Sequence, residues 1–420
     1  MENPQPDGQK KKLAPTGAPL EEFQFYQDRF TGMAERHNKR ANAKGKRGLA
    51  DRIADRQSKD GDKPTRPKRI TAEYVMQEQA ERENRDRERM LEEERKEWDK
   101  MLAPVIKILK QKRDNSAENK KQKVIIYAMG GGMRGPYGAG QVLALDEMGL
   151  TADKIDVLIG ASAGMADLIY YASGQTYIGT SMYYDECTSP EFINLSRIKQ
   201  VLDVSIVGKA MRSGEKAVDQ KRIMEIPTEV YALNTPVGGT DAKLVDIKTA
   251  TPDMIAPIEA SMNVRLLKAP GIDVNGINME DGSFGSFEIQ RLIDKFQEPG
   301  SELTILVLPN IPFRKLAEVP EPNRLVNQLP DSGVLGTIKK FARISQELRK
   351  TMQDCRKKQD VNIGILWPPD RGLDTLDADP DLIKLAVADT IRDTIKQFGE
   401  RQPEKVELYI TEKERQRMAA

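Results

Sequence analysis

A glycine-rich segment at residues 130–135 has the composition of a loop that could bind an anion. It lies directly between a short apolar run and a helical pattern. Glycines at such a place let backbone amides approach a ligand, and the start of the following helix favours negative charge. Gly130, Gly132 and Gly135 also fit the G-x-G-x-x-G spacing of dinucleotide-binding loops. This segment, which we call the glycine loop, therefore predicts an anion site or a nucleotide site.

A second segment favours a nucleophile over a nucleotide. The next apolar run ends in Gly-Ala-Ser-Ala-Gly at 160–164, where a dinucleotide fold would place an acidic residue for the ribose. In the G-x-S-x-G pattern, small neighbours permit a tight turn from strand to helix that exposes the serine oxygen. An apolar helical pattern follows at 165–172, as the motif requires. Ser162 is therefore the candidate nucleophile, and Gly160 and Gly164 are the candidate elbow glycines.

An elbow serine needs a base, because a free hydroxyl is a weak nucleophile at neutral pH. The chain has one histidine, His37, and none after Ser162, which excludes the order Ser, acid, His of the α/β-hydrolases and any cage of histidines around a metal. A carboxylate remains, and Asp281 follows a short strand pattern and precedes Gly282. A partly buried aspartate with raised proton affinity can accept the serine proton directly. The alternative for Asp281 is an ordinary Asp-Gly turn.

The glycine loop, the elbow at 160–164 and the Asp-Gly pair at 281–282 resemble, in this order, the three motifs of patatin-like phospholipases. The resemblance extends over roughly 123–398. It implies a three-layer α/β/α domain that hydrolyses phospholipids or other lipid esters through a serine–aspartate dyad, without a metal or other cofactor. By this resemblance Ser162 is the nucleophile and Asp281 the base that activates it.

The resemblance also implies an oxyanion hole at Gly130, Gly131 and Gly132, with the backbone amides of Gly131 and Gly132 as its donors. Arg134 fits the basic position that the family has beside this hole. There its charge would help to hold the loop or meet a phosphate, and a structural ion pair is the alternative.

Two departures from the family bear on activity. Ser283 follows the Asp-Gly pair where many members have a second glycine, and Phe287-Glu288 stands where they usually carry a proline. We therefore expect the geometry that faces the substrate to differ. No motif has lost a chemical group, so an active hydrolase is still the prediction.

The elements around these motifs predict the sheet that must position them. Short apolar runs alternate with helical patterns, which favours an α/β sheet with substantial parallel pairing. The predicted strands are 124–128, 155–159, 228–233, 244–247, 277–280, 303–308, 361–366 and, at the edge, 406–410. An amphipathic helix is predicted at 382–398.

The first 123 residues differ in composition from the rest. They hold 31 basic and 23 acidic residues, a net charge of +8, whereas the remainder carries −7. High charge and few apolar residues predict a basic, largely disordered arm at 1–69. Interleaved Glu and Arg predict a charged helical segment and linker at 70–122. The patatin-like catalytic domain is predicted at 123–400, and an edge strand with a charged tail at 401–420.

An apolar stripe near the end of the charged helix predicts a buried contact. Trp98, Leu102, Val105 and Leu109 recur at helical spacing, and we expect the stripe to pack on the following domain or on another chain. A lid or membrane-facing helix is the functional alternative. Pro104 predicts a kink or a restart of the helix.

Composition also limits the compartment and the partners. No run of about 18 apolar residues and no secretory leader is present, and two cysteines form no disulfide framework or zinc pattern, so a cytoplasmic, peripherally membrane-bound protein is expected. The arm at 1–69 predicts contact with anionic membranes, and it lacks a recognition motif for nucleic acid. Self-association through 71–112 is a further prediction. A catalytically silent scaffold and a nucleotide-binding oxidoreductase remain as alternative functions.

Overall fold

The computed structural model describes residues 72–114, 122–194, 202–264, 270–285, 287–318 and 361–409. The chain divides into two units, Met1–Asp86 and Arg87–Ala420, and the sheet and the candidate site belong to the second. The second unit therefore begins within the segment predicted as a separate helix at 70–122. The predicted arm at 1–69 lies outside the described residues.

Within the described residues one sheet is formed by β1 (Gln122–Ala128), β2 (Val157–Gly160), β3 (Glu229–Pro236), β4 (Lys243–Asp246), β5 (Ile272–Val274), β6 (Ile277–Asp281), β7 (Glu302–Leu308) and β8 (Val361–Ile365). Their order is β5-β6-β3-β2-β1-β7-β8, and β4 pairs with β3. The pairs within β3-β2-β1-β7-β8 are parallel, whereas β4, β5 and β6 pair in antiparallel fashion. The predicted α/β class is confirmed.

Helices cover both faces of the sheet. In chain order they are α1 (Ala72–Arg113), α2 (Pro136–Glu147), α3 (Ala163–Ala172), α4 (Thr176–Asp185), α5 (Val204–Arg212), α6 (Gln220–Glu225), α7 (Ala256–Met262), α8 (Ile289–Phe296), α9 (Phe313–Glu318) and α10 (Pro380–Gln397). Strand β1 shows the division of the core. Val124 and Ile126 join a cluster with α2 to α5, whereas Ile125 and Tyr127 join one with α8 and α9. Because both faces are covered, the central strands are apolar throughout rather than alternating.

The apolar stripe of helix α1 packs on its own unit. Trp98, Leu102 and Val105 are buried, and a Cβ placed on Gly364 of β8 would lie 2.9 Å from Leu102 and 3.0 Å from Val105. The first predicted partner, the following domain, is therefore the one observed. The stripe is therefore used within the chain, and self-association through 71–112 stays a prediction. The helix continues through Pro104 rather than restarting there.

Two local predictions differ from the structure. Residues 406–409 form no strand. The alternating apolar side chains Val406 and Leu408 pack instead against buried side chains of α2 and α10. The three-residue strand β5 is too short to give a periodic signal and was not predicted. None of the helices in the described part of the chain has the length and apolar content to span a membrane.

Candidate active site

The sheet brings the three predicted motifs to one edge. The parallel pairing of β1 and β2 aligns Ala128 with Gly160, so the glycine loop and the elbow both leave the carboxyl ends of neighbouring strands. Strand β6 runs in the opposite direction beside β3, and its register pairs Asp281 with Asn234. Its last residue therefore returns to the edge at which Ser162 begins helix α3. Such an edge is where open α/β sheets bind ligands.

Ser162 has the backbone conformation of a tight elbow. Its φ is 51° and its ψ −127°, a region that L-residues rarely adopt. The flanking glycines are required by close backbone packing: a Cβ on Gly160 would lie 2.4 Å from the Cα of Met165, and one on Gly164 2.6 Å from the carbonyl carbon of Ala128. The sequence pattern thus folds as a strand, a sharp turn and a helix, as expected for G-x-S-x-G.

The amide of the elbow is held from another part of the chain. The Ser162 N–H donates to Oγ of Ser261 at 2.7 Å, and Ser261 is fully buried in helix α7. This bond holds the turn from a distant segment of the chain. The sequence around Ser261 gives no indication that it would contact residue 162.

The Ser162 side chain lies close enough to the carboxylate of Asp281 to lower its pKa, the direction expected when a hydroxyl faces a carboxylate. Asp281 is 2% exposed, and its Oδ1 also accepts from the Ser283 N–H at 2.7 Å. Burial raises the pKa of Asp281 from 3.8 to about 6, because the loss of hydration outweighs the hydrogen bonds that lower it. The group is therefore mostly ionised at pH 7 yet much more basic than a solvated aspartate.

The glycine loop presents backbone donors beside the serine. The amides of Gly130–Gly132 make no hydrogen bond with any described residue. The flanking amides are fixed, since Met129 N–H donates to the Leu308 carbonyl at 3.0 Å and Met133 N–H to the Thr375 carbonyl at 2.9 Å. The three free amides are thus held between two anchored ones, an arrangement that could stabilise a negatively charged oxygen.

The glycine loop is in contact with Ser162 and Ser283. A Cβ on Gly130 would lie 2.9 Å from the Ser162 Cβ and 2.7 Å from Oγ of Ser283. Gly132 has φ +57°, and a Cβ there would lie 2.8 Å from the Thr375 carbonyl oxygen. The structure therefore brings together every predicted site residue of the three motifs. The serine that departs from the family pattern, Ser283, lies directly at the site.

Arg134 is less clearly placed. Its Nε makes a long contact of 3.4 Å to the Gly131 carbonyl, and it forms no ion pair with any carboxylate of the described residues. Burial lowers the pKa of Arg134, and the negative charge of Asp374 is the largest effect that raises it. The structural ion pair that we considered for Arg134 is therefore not formed within the described residues.

The second departure from the family lies at the start of helix α8. Phe287 packs its ring against that of Tyr127, with centroids 6.0 Å apart, and Glu288 precedes the first turn of the helix. The stretch therefore packs Phe287 against β1 and leads into helix α8. Among the described residues no group of three His, Cys, Asp or Glu side chains could hold a metal ion.

Three buried residues near the site were not predicted as functional. Asn310 follows strand β7, and Asp167 and Tyr183 lie on α3 and α4. For Asn310 a signal was present, because a polar residue just past a central strand lies at the ligand-binding edge of an α/β sheet. For Asp167 and Tyr183, helical spacing alone gives no indication of a role.

Comparison with known proteins gives a fold likeness only. No family model matches the chain, and no curated protein matches its sequence. Three solved structures show a similar fold. VipD from Legionella pneumophila is 13% identical with a TM-score of 0.33, over 66% of this chain and 67% of its own. A chain of the heterodimeric ExoU–SpcU complex from the Pseudomonas aeruginosa type III secretion system is 17% identical with a TM-score of 0.25 (56% and 52%).

The third structure is human GIVD cytosolic phospholipase A2 in complex with a fluorophosphonate inhibitor, at 13% identity and a TM-score of 0.25 (70% and 64%). The match thus extends over about half to two thirds of each neighbour's own chain. At these scores no activity is transferred from the three proteins to this chain, and its function is argued from its own site.

Proposed function

We propose that this protein is a lipid acyl hydrolase that cleaves carboxylic esters through a Ser162–Asp281 dyad. The observation that carries the proposal is the proximity of the Ser162 side chain to Asp281, a buried carboxylate whose pKa is raised to about 6. A nucleophile, a base of suitable strength and free backbone donors within contact distance are the parts that acyl transfer requires.

In the proposed reaction the Ser162 oxygen attacks the ester carbonyl while its proton passes to the Asp281 carboxylate. The carbonyl oxygen becomes an oxyanion, and the amides of Gly130–Gly132 stabilise it. Collapse of this intermediate breaks the ester bond, and Asp281 returns the proton to the leaving alcohol. A water molecule then attacks the acyl-enzyme while Asp281 takes one of its protons. The bond between the acyl carbon and the serine oxygen breaks, Asp281 returns the proton to that oxygen, and the carboxylic acid is released.

The lipid nature of the substrate is supported by the resemblance of the three motifs to those of patatin-like phospholipases. The proposed chemistry uses no histidine, and none follows Ser162 in the chain. Arg134 beside the loop is a cation without an ion pair among the described residues, which suits a substrate that carries a phosphate. A phospholipid or lysophospholipid is therefore the proposed substrate class.

The test compares the wild-type protein with Ser162→Ala and Asp281→Asn on mixed phospholipid vesicles, with released fatty acid measured by mass spectrometry. We expect each substitution to reduce release by at least about a thousandfold, because nucleophile and base act as one unit. Circular dichroism verifies that both variants are folded. Release that is equal in wild type and either variant would rule out the dyad.

We also propose that the basic arm at 1–69 draws the enzyme to anionic membranes from the cytoplasm. Each cation near such a surface contributes about 1 kcal/mol of attraction. Sedimentation with vesicles of 30 mol% phosphatidylserine compares the full chain with residues 70–420. Loss of most of the bound fraction is expected on removing the arm, and unchanged sedimentation would refute its role.

A further inference from the structure

Asn310 connects the two ends of the glycine loop. Its Nδ2 donates to the carbonyl of Met129, the residue before the three free amides, at 2.6 Å. Its Oδ1 accepts from the N–H of Gly138 at 2.7 Å. Gly138 lies in the first turn of helix α2, where backbone amides have no partner within the helix. One side chain thus joins the entry of the loop to the helix at its exit.

The side chain of Asn310 is buried and is in close contact with the glycine loop. It is 1% exposed and comes two residues after the end of strand β7. A Cβ on Gly131 would lie 2.4 Å from the Cβ of Asn310, so the loop backbone rests directly against it. Displacement of this amide would therefore displace the loop itself.

A second buried pair holds Asn310 in turn. Asp167 is 3% exposed, and its Oδ1 accepts from the Tyr183 hydroxyl at 2.7 Å. Its Oδ2 has no hydrogen-bond partner among the described residues. A Cβ on Gly138 would lie 2.4 Å from this Oδ2 and 2.7 Å from Oδ1 of Asn310, so both oxygens lie close to the same glycine.

Asp167 and Asn310 influence each other inside the core. Burial raises the pKa of Asp167 well above its usual range, and the neighbouring Tyr183 hydroxyl and Asn310 amide oppose this shift. The Asp167 and Asn310 side chains are therefore close enough to interact, which restricts the orientation of the Asn310 amide.

From this network we propose that Asn310 is a positioning residue: it sets the distance and orientation of the Gly130–Gly132 amides relative to Ser162, with Asp167 and Tyr183 as its support. The inference rests on the proposed acyl hydrolase function. Asn310 touches neither substrate nor nucleophile; it acts through the Met129 carbonyl and the start of α2. Its effect is therefore expected on the chemical step and not on substrate binding.

The kinetic test uses Asn310→Asp, which keeps the acceptor for Gly138 and removes the donor to Met129. We expect kcat to fall on the order of ten- to a hundredfold, since a misplaced oxyanion donor costs less than a missing one, with KM within twofold. Gln141→Glu is the matched control, because Gln141 is also a buried amide of α2 that donates to a backbone carbonyl, that of Leu366. Its kcat should stay within twofold of wild type.

A second readout does not depend on catalysis. Amide hydrogen exchange of the peptide covering 129–138 should be at least tenfold faster in Asn310→Asp and Asn310→Ala than in wild type or Gln141→Glu. The peptide covering 157–160 should be unchanged, which excludes global unfolding. Unchanged exchange at 129–138, or a kcat within twofold of wild type in an active preparation, would overturn the inference.

The two proposals fail separately. If wild type and Ser162→Ala release equally little fatty acid, the proposed function fails and the exchange measurement alone decides the role of Asn310. If wild type is active and the kcat of Asn310→Asp is within twofold of wild type, the function stands and the positioning role fails. A loss of activity with normal exchange would assign Asn310 some other role and would also overturn the inference.

Discussion

The elbow and the glycine loop lie side by side at one sheet edge, but different parts of the chain hold them. The elbow is shaped by its own glycines, which permit contacts such as that of Gly160 with Met165, and it has one bond to the distant Ser261. The loop is held by Asn310 and by the Thr375 carbonyl, the first of these 181 residues from its partner in sequence. A nucleophile can therefore be recognised from a short motif, whereas the alignment of its oxyanion donors depends on the completed fold.

The largest effect is expected from a substitution in the elbow. In Gly164→Ala the new Cβ would lie 2.6 Å from the backbone carbonyl of Ala128, which cannot rotate away. We expect Ser162 to be displaced and esterase activity to fall by at least about a thousandfold, with a loss of about 1–3 kcal/mol in the free energy of unfolding. Hydrolysis of a short-chain ester and urea unfolding measure the two effects. Activity within tenfold of wild type would contradict the tight elbow.

A second prediction concerns the cost of placing the base beside the elbow. The raised pKa of Asp281 means that its ionisation opposes folding: this penalty is absent below about pH 4, grows through pH 6 and is complete above it. Asp281→Asn removes the penalty, worth up to about 2–3 kcal/mol. The variant should therefore gain stability relative to wild type as pH rises from 4.5 to 8, as measured by urea unfolding. A stability difference that does not change with pH would show that the carboxyl is not desolvated.

A third prediction follows the same group in catalysis. Only the ionised Asp281 can accept the serine proton, so kcat/KM should fall as pH drops through about 6. At pH 5 about a tenfold loss relative to pH 8 is expected, because roughly one molecule in ten still carries the carboxylate. A soluble ester keeps vesicle effects out of the measurement. A profile that is flat from pH 8 to pH 5 would exclude Asp281 as the base.

The smallest effect is expected from a substitution next to the glycine loop. Ser283→Gly places a second glycine after the Asp-Gly pair and removes the Oγ that lies 2.7 Å from a Cβ placed on Gly130. Its backbone N–H, which binds Asp281, is kept. We expect kcat to change by less than about threefold. A larger loss would mean that the Ser283 hydroxyl takes part in positioning the loop.

The same comparison explains how much could be predicted from sequence. The central strands, the elbow with Ser162 and the position of Asp281 after a strand all followed from local patterns, because apolar runs, glycines and turn residues act over a few positions. Strand β5 and the packing of 406–409 on helices were missed, since neither has a pattern of its own. The contact made by Ser261 and the role proposed for Asn310 depend on distant segments. The sequence marks Asn310 only as a polar residue just past a central strand, and it does not specify the partners of either residue.

The central claim, that Ser162 is a nucleophile activated by Asp281, is tested most directly by labelling with a fluorophosphonate probe. Intact-mass and peptide mass spectrometry follow the rate and position of the adduct in wild type, Ser162→Ala and Asp281→Asn. A single adduct on Ser162, absent in Ser162→Ala and formed at least about a hundredfold more slowly in Asp281→Asn, is the predicted result. No adduct on folded wild type, or an adduct on another serine, would contradict it.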